Sequence, residues 1–139
     1  MSRQRVTIID YGMGNIWSVT SALRYLNCEV VVSSDPLAIQ KAESLILPGV
    51  GSFRKAMKAL REMNLEAPII ESALVRKVKF LGICLGMQLM GVNSTEDGLT
   101  SGLNLIPSKV DKFSPAEIVE RKVPHIGFNQ VNIDSSGNL

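Results

Sequence analysis

Apolar runs too short to form helices alternate with segments of helical spacing along most of this chain. The runs are rich in β-branched residues and predict four buried strands: Arg5–Asp10, Glu29–Val32, Ser44–Leu47 and Val78–Ile83. Capping residues or helical spacing predict the helices: Ile16–Leu26, a short one opening at Asp35 and Pro36, one capped by Ser52, one near Ile69–Arg76 and one around Met87–Met90. This alternation predicts βαβ units, and therefore an α/β fold with a mostly parallel sheet between layers of helices.

Glycine-bearing turns follow three of the predicted strands. Their glycine pairs are Gly12 and Gly14, Gly49 and Gly51, and Gly82 and Gly86. Open parallel sheets bind ligands at the carboxyl ends of their strands. We therefore expect these turns to form the functional site.

The chain changes character after Glu96. Shorter strands are predicted at Leu105–Ile106, at Val110 and within Lys122–Ile133, so a β-rich portion follows the parallel sheet. Residues 134–138 then give a hairpin-turn signal with no returning strand behind it. We therefore expect residues 1–139 to form a single domain that is incomplete at its C-terminus.

Composition excludes several classes of protein. Hydrophobic residues make up 45% of the 139 residues and charged residues 20%, which is typical of a globular domain. The net charge is +2 without a basic stripe, so no nucleic acid is expected as a partner. No signal peptide or bilayer-length apolar run is present, so we expect a cytoplasmic protein without membrane association. The only histidine, His125, has no cluster of cysteines around it, so no metal site is expected.

Gly82–Gly86 has the form G-x-C-x-G between a predicted strand and a predicted helix. A nucleophile elbow requires this layout, because the sharp turn needs small flanking residues and lifts the central side chain above the sheet. The backbone N–H of Leu85 is then placed to stabilise an oxyanion. The alternative is that Cys84 is a buried and inert cysteine, which is a common fate of free cysteines.

Pro48–Gly51 ends the neighbouring strand. Two glycines allow the backbone to approach a ligand and leave a peptide N–H free to point at it, although an ordinary strand-to-helix turn would look the same. Next to a thiol elbow, this segment is placed to supply the second oxyanion donor that acyl transfer needs. Rotation of the Gly49–Val50 peptide could switch that donor on. The turn at residues 11–15 lacks a full G-x-G-x-x-G, because Trp17 stands at the last position, so no dinucleotide cofactor is expected.

Four motifs together resemble the class I (triad-type) glutamine amidotransferases, and specifically the glutaminase subunits of imidazole glycerol phosphate synthase. They are Asp-Tyr-Gly-Met-Gly-Asn (10–15), Leu-Pro-Gly-Val-Gly-Ser-Phe (47–53), Gly-Ile-Cys-Leu-Gly-Met-Gln (82–88) and Lys-Val-Pro-His-Ile-Gly-Phe-Asn-Gln-Val (122–131). The resemblance implies a flavodoxin-like three-layer fold. It also implies that glutamine is hydrolysed to glutamate and ammonia without a cofactor. The ammonia would pass to a TIM-barrel cyclase partner in a heterodimer of histidine biosynthesis.

The resemblance also implies roles for individual residues. Cys84 would be the catalytic nucleophile. Three residues would form the oxyanion hole: Gly49, Val50 and Leu85. Three would hold the substrate glutamine: Gly51, Gln88 and Glu96. Four would face the cyclase: Asn15, His125, Phe128 and Asn129.

The sequence departs from the family at two points. Nothing matches the family's catalytic His-x-Glu element, and His125 corresponds to the Pro-His-x-Gly histidine and not to the base. Phe128 stands where most members carry tryptophan. Two alternatives therefore stay open. One is a paralogous amidotransferase subunit that supplies ammonia to another synthase, such as one that aminates a surface sugar. The other is a non-catalytic docking subunit without the triad base.

Overall fold

A parallel four-stranded sheet forms the centre of the computed structural model, which describes residues 3–114 together with residues 128 and 130. The strand order is β2-β1-β3-β4, with all neighbouring strands parallel. The strands are β1 (Arg5–Ile9), β2 (Glu29–Ser33), β3 (Ser44–Leu47) and β4 (Lys79–Gly82). The predicted α/β fold and its mostly parallel sheet are confirmed, and the strand order is that of flavodoxin-like folds.

Helices connect these strands at the predicted places. They are α1 (Ile16–Tyr25), α2 (Pro36–Gln40), α3 (Phe53–Glu62), α4 (Glu66–Ile70) with a π-helical continuation over Glu71–Val75, and α5 (Leu85–Leu89). Asp35 caps α2 by accepting a hydrogen bond from the Leu37 N–H at 3.0 Å. The helix predicted near Ile69–Arg76 begins earlier, at Glu66, and its start has no side-chain cap that the sequence could have signalled.

The hydrophobic core lies between the sheet and α3. Four residues of α3 at helical spacing are buried: Phe53, Ala56, Met57 and Leu60. They pack in one cluster with Ile9, Leu45 and Leu47 of the sheet. The core therefore fixes α3, and with it the turn that joins β3 to α3.

The opposite face of the sheet is more open. Helix α1 contains no buried residue, although Ile16, Val19 and Leu23 recur at the spacing of a core face. Leu23 and Leu26 line a groove over the sheet together with Val6 and Phe80. No helix among residues 3–114 combines the length and the apolar character that crossing a membrane requires.

A small second sheet confirms the β-rich portion as far as the structure describes it. Its strands are β5 (Asn93–Ser94), β6 (Thr100–Ser101) and β7 (Lys109–Val110), in the order β6-β5-β7. The strand predicted at Leu105–Ile106 is wrong, because both backbone N–H groups donate to the Met90 carbonyl at the end of α5 and not to a ladder. The strand predicted within Lys122–Ile133 lies outside the described residues except for positions 128 and 130, which are too few to test it.

Candidate active site

The three glycine-bearing turns meet at one edge of the sheet. Strands β1 and β3 are parallel neighbours, as are β3 and β4, so their carboxyl ends lie side by side. Leu47 at the end of β3 pairs with Gly82 at the end of β4, and the Leu47 carbonyl accepts a hydrogen bond from the Ile83 N–H at 3.0 Å. A Cβ on Gly14 would lie 3.0 Å from the Pro48 ring. The predicted convergence of the three turns is therefore confirmed.

Cys84 has the backbone of a nucleophile elbow. Its φ of 55° and ψ of −119° are unfavourable for a residue with a side chain, and it immediately precedes α5. Its side chain is exposed and its thiol is free. The alternative's expectation that Cys84 is buried is therefore wrong, because its thiol is exposed.

The two glycines of the elbow are required by close packing. A Cβ on Gly82 would lie 2.6 Å from the Met87 Cα, and a Cβ on Gly86 would overlap the Leu47 carbonyl. The elbow thus presses α5 against the ends of β3 and β4, which only glycine permits at these positions.

The Leu85 N–H is available as an oxyanion donor. It belongs to the first turn of α5, whose N–H groups have no partner inside the helix. The other amides of that turn are engaged: Gly86 N–H donates to the Ile83 carbonyl and Met87 N–H to the Cys84 carbonyl, both at 3.0 Å. No acceptor for Leu85 N–H occurs among the described residues.

The segment Pro48–Gly51, here named the oxyanion strand, lies against the elbow. Gly49 is buried, and a Cβ there would lie 2.8 Å from the Gly86 N and 2.9 Å from the Leu85 Cβ. Gly51 has a φ of +103°, which few other residues adopt. The Val50 N–H donates to the Met13 carbonyl at 3.1 Å. The N–H that was expected as the second oxyanion donor is therefore bound, in this structure, to the turn that follows β1.

Tyr11 lies beneath the oxyanion strand and was not predicted as a site residue. Only 2% of its surface is exposed, and its hydroxyl donates to the Pro48 carbonyl at 2.9 Å. Burial, followed by the charge of nearby Cys84, raises the pKa of Tyr11 to about 12. The hydroxyl thus remains a protonated donor at physiological pH. The sequence signal was only a tyrosine beside a glycine turn, which does not reveal a partner 37 positions away.

The residues expected to hold glutamine lie around the same edge. Gln88 is half-buried on α5, and its N–H donates to the Cys84 carbonyl at 3.3 Å. Glu96 is exposed in the loop between β5 and β6. Asp97, next to it, accepts a hydrogen bond of 2.6 Å from Ser52, which immediately follows Gly51. This contact brings the Glu96 loop to the oxyanion strand, and sequence reasoning missed it.

The residues expected to face a partner are only partly described. Asn15 is exposed, and its Oδ1 accepts the Ser18 N–H at 3.1 Å as the N-cap of α1. Phe128 is fully exposed, and Trp17 on α1 is 78% exposed. His125 and Asn129 lie outside the described residues. Among the described residues, no group of three or more His, Cys, Asp or Glu side chains could hold a metal ion.

Comparisons of the sequence and of the structure with known proteins indicate the same family. Residues 7–137 match the family model described as "Glutamine amidotransferase class-I". A solved structure described as "Crystal structure of glutamine amidotransferase" superposes with a TM-score of 0.66 at 18% identity, over 76% of this chain and 55% of that one. That likeness shows the fold.

Two similar curated proteins carry the name "Imidazole glycerol phosphate synthase subunit HisH". The protein of Geobacillus sp. (strain WCH70) is 47% identical over 128 residues, which cover 91% of this chain and 60% of that protein. The protein of Moorella thermoacetica is 48% identical over 134 residues, which cover 96% of this chain and 61% of that protein. The chain therefore spans about three fifths of the length of these relatives.

Proposed function

Because this chain belongs to the class-I glutamine amidotransferase family, we propose that it hydrolyses glutamine and supplies the ammonia to a synthase partner. The observation that carries the proposal is Cys84, an exposed thiol on a strained turn between β4 and α5. An acyl-transfer nucleophile requires this placement, with a backbone N–H beside it for the developing oxyanion. Leu85 supplies that N–H.

The reaction follows from these positions. The Cys84 thiolate attacks the side-chain amide carbon of glutamine, and the carbonyl oxygen becomes an oxyanion held by Leu85 N–H. The C–N bond then breaks, the nitrogen takes up a proton and leaves as ammonia, and a glutamyl thioester remains on Cys84. Water cleaves the thioester to glutamate and regenerates the thiol. A base has to take up the thiol proton and deliver a proton to the leaving nitrogen.

The second oxyanion donor is the Val50 N–H. It is bound to the Met13 carbonyl in this structure, so it serves the reaction only after the Gly49–Val50 peptide rotates. An unaligned second donor would slow turnover about 10²- to 10³-fold, which is what removal of one oxyanion donor costs. We infer that the resting site is slow and that a partner which favours the rotated peptide speeds it.

The partner and pathway are inferred from the relatives. Their shared name, a subunit of imidazole glycerol phosphate synthase, supports a cyclase partner and ammonia transfer to a ribosyl carboxamide substrate in histidine biosynthesis. The proposed docking residues are Asn15, His125, Phe128 and Asn129, with the cyclase a TIM barrel in a heterodimer. Glutamine would be held by Gly51, Gln88 and Glu96. We also propose that the protein is cytoplasmic.

Glutamate release by the protein in complex with a cyclase subunit and its ribosyl substrate tests the proposal. We expect that the partner and the ribosyl substrate stimulate turnover, that Cys84→Ala abolishes it, and that Cys28→Ala retains it. Cys28 is the matched control, because it is the chain's other cysteine and lies in the groove beside α1. Turnover that is not stimulated by this partner but is stimulated by another synthase would favour the alternative of a paralogous amidotransferase subunit. No turnover with any partner would favour the docking subunit.

A further inference from the structure

We propose that Tyr11 is a positioning residue for glutamine hydrolysis: its hydroxyl fixes the Pro48 carbonyl, so that only the Gly49–Val50 peptide moves when the second oxyanion donor is presented. The inference rests on the proposed function and adds a residue that this function had not required. Tyr11 does not touch the reacting atoms in this account. It acts through the backbone of the oxyanion strand.

The contact itself is well defined. The Tyr11 hydroxyl donates to the Pro48 carbonyl at 2.9 Å, and the ring is 98% buried, with 2% of its surface exposed. A buried carbonyl without a donor is costly, so the bond persists as long as the ring stays in place. The hydroxyl keeps its proton, because burial and the neighbouring Cys84 charge raise the pKa of Tyr11 to about 12.

The bonds along the oxyanion strand form an ordered series. The Leu47 carbonyl accepts from Ile83 N–H at 3.0 Å, and the next carbonyl, that of Pro48, accepts from Tyr11. The Val50 N–H donates to the Met13 carbonyl at 3.1 Å. The first two bonds are made to groups before the Gly49–Val50 peptide and survive its rotation. Only the bond from Val50 has to break.

Close packing also restricts the oxyanion strand at Gly49. A Cβ at Gly49 would lie 2.7 Å from the Tyr11 Oη and 2.8 Å from the Gly86 N. The phenol hydroxyl and the start of α5 therefore together close the space on the side of Gly49 where a side chain would lie. The hydroxyl thus contacts the oxyanion strand at Gly49 as well as at the Pro48 carbonyl.

The test is Tyr11→Phe, which keeps the ring and removes the hydroxyl. We expect kcat for glutamine to fall about tenfold, with KM changed less than about twofold, because about 1.4 kcal/mol of preorganisation is lost in the transition state alone. The rate at which iodoacetamide alkylates Cys84 should not change, because that reaction uses no oxyanion hole. The matched control is Ser72→Ala. Ser72 is also buried, and its hydroxyl donates a hydrogen bond of 3.2 Å to the Ile39 carbonyl, which does not belong to the site. It should retain kcat.

A second measurement does not depend on activity. Amide hydrogen exchange of the 48–53 segment, measured without glutamine, should be faster in Tyr11→Phe than in the wild type and unchanged in Ser72→Ala. Equal exchange in Tyr11→Phe and the wild type would overturn the inference, as would an unchanged kcat or a parallel loss of kcat in Ser72→Ala. A wild-type protein that never hydrolyses glutamine would instead refute the proposed function, while hydrogen exchange would still show whether the Tyr11 hydroxyl holds the 48–53 segment in place.

Discussion

Gly12, in the turn after β1, and Gly86, in the first turn of α5, are both positions that require glycine, but for different physical reasons. A Cβ on Gly86 would overlap the Leu47 carbonyl, whereas a Cβ on Gly12 would meet nothing within 4 Å. Gly12 is required only by its φ of +83°. The sequence shows the same residue type at both places, and only the packing of α5 against β3 separates them.

Gly86→Ala should therefore destabilise the fold by roughly 3 kcal/mol, since backbone atoms have to move. Gly12→Ala should cost only about 1–2 kcal/mol, the strain of a left-handed alanine. Urea unfolding of both variants measures the difference. If the two variants are equally stable, the close packing of the elbow against the end of β3 is wrong.

Tyr11 gives a pH dependence with a definite sign. Its pKa is raised from 10.0 to about 12 in the folded state, so between these values the unfolded chain loses the proton that the folded chain keeps. The contribution of Tyr11 to the free energy of unfolding is therefore fully present below pH 10. It is lost as the pH rises towards 12, by about 1.4 kcal/mol per pH unit at most.

Urea unfolding from pH 8 to pH 11.5 checks this effect. Tyr11→Phe should be about 1 kcal/mol less stable than the wild type at pH 8. That gap should close above pH 10 and reverse by pH 11.5, because the wild type loses up to about 1.4 kcal/mol per pH unit there and the variant has no phenol to ionise at this position. Tyr25→Phe is the matched control, because it makes the same substitution at a tyrosine that is 90% exposed. A gap that stays constant with pH would contradict the buried, protonated Tyr11.

At the scale of elements, α3 joins the oxyanion strand to the Glu96 loop. Ser52 caps α3 by accepting the Lys55 N–H at 3.4 Å, and its hydroxyl also donates to Asp97 at 2.6 Å. The cap was predictable from a serine before an amphipathic run. The bond to Asp97 was not, because it joins residues 45 positions apart through a loop whose path depends on the second sheet.

Ser52→Ala should lose both bonds, and Asp97→Ala only the second. We expect a loss of stability of about 1 kcal/mol for Ser52→Ala and of less than about 0.5 kcal/mol for Asp97→Ala. Both should raise KM for glutamine about threefold, because the Glu96 loop loses its tie to α3. Thermal unfolding and steady-state kinetics measure the two effects. Additive KM effects in the double variant would show that Ser52 and Asp97 do not act through one contact.

Element predictions succeeded where the local pattern decides the structure. Ser44–Leu47 is the observed β3, and Asp35 and Ser52 are the observed caps. A prediction failed where tertiary bonds decide the structure: the backbone of Leu105–Ile106 bonds to the end of α5 and does not form a strand. Apolar content alone could not distinguish these cases.

For the molecule as a whole, the parallel sheet explains why the location of the site could be predicted from the sequence. Which backbone groups are free to act there could not be predicted. Strand alternation predicts that the carboxyl ends of β1, β3 and β4 share an edge, and they do. Which groups are free there depends on individual bonds. Leu85 N–H is unpaired among the described residues, whereas Val50 N–H is bound to Met13. Those bonds arise from contacts between turns that no local motif encodes.

The central claim, that Cys84 is the nucleophile for glutamine, is tested most directly by labelling. The purified protein, in complex with the proposed cyclase partner, is incubated with a diazoketone analogue of glutamine, and its peptides are analysed by mass spectrometry. We expect that Cys84 is labelled, that free glutamine protects it, and that Cys28 stays unlabelled. Absence of label on Cys84, or equal labelling of both cysteines without protection by glutamine, would show that Cys84 is not the nucleophile.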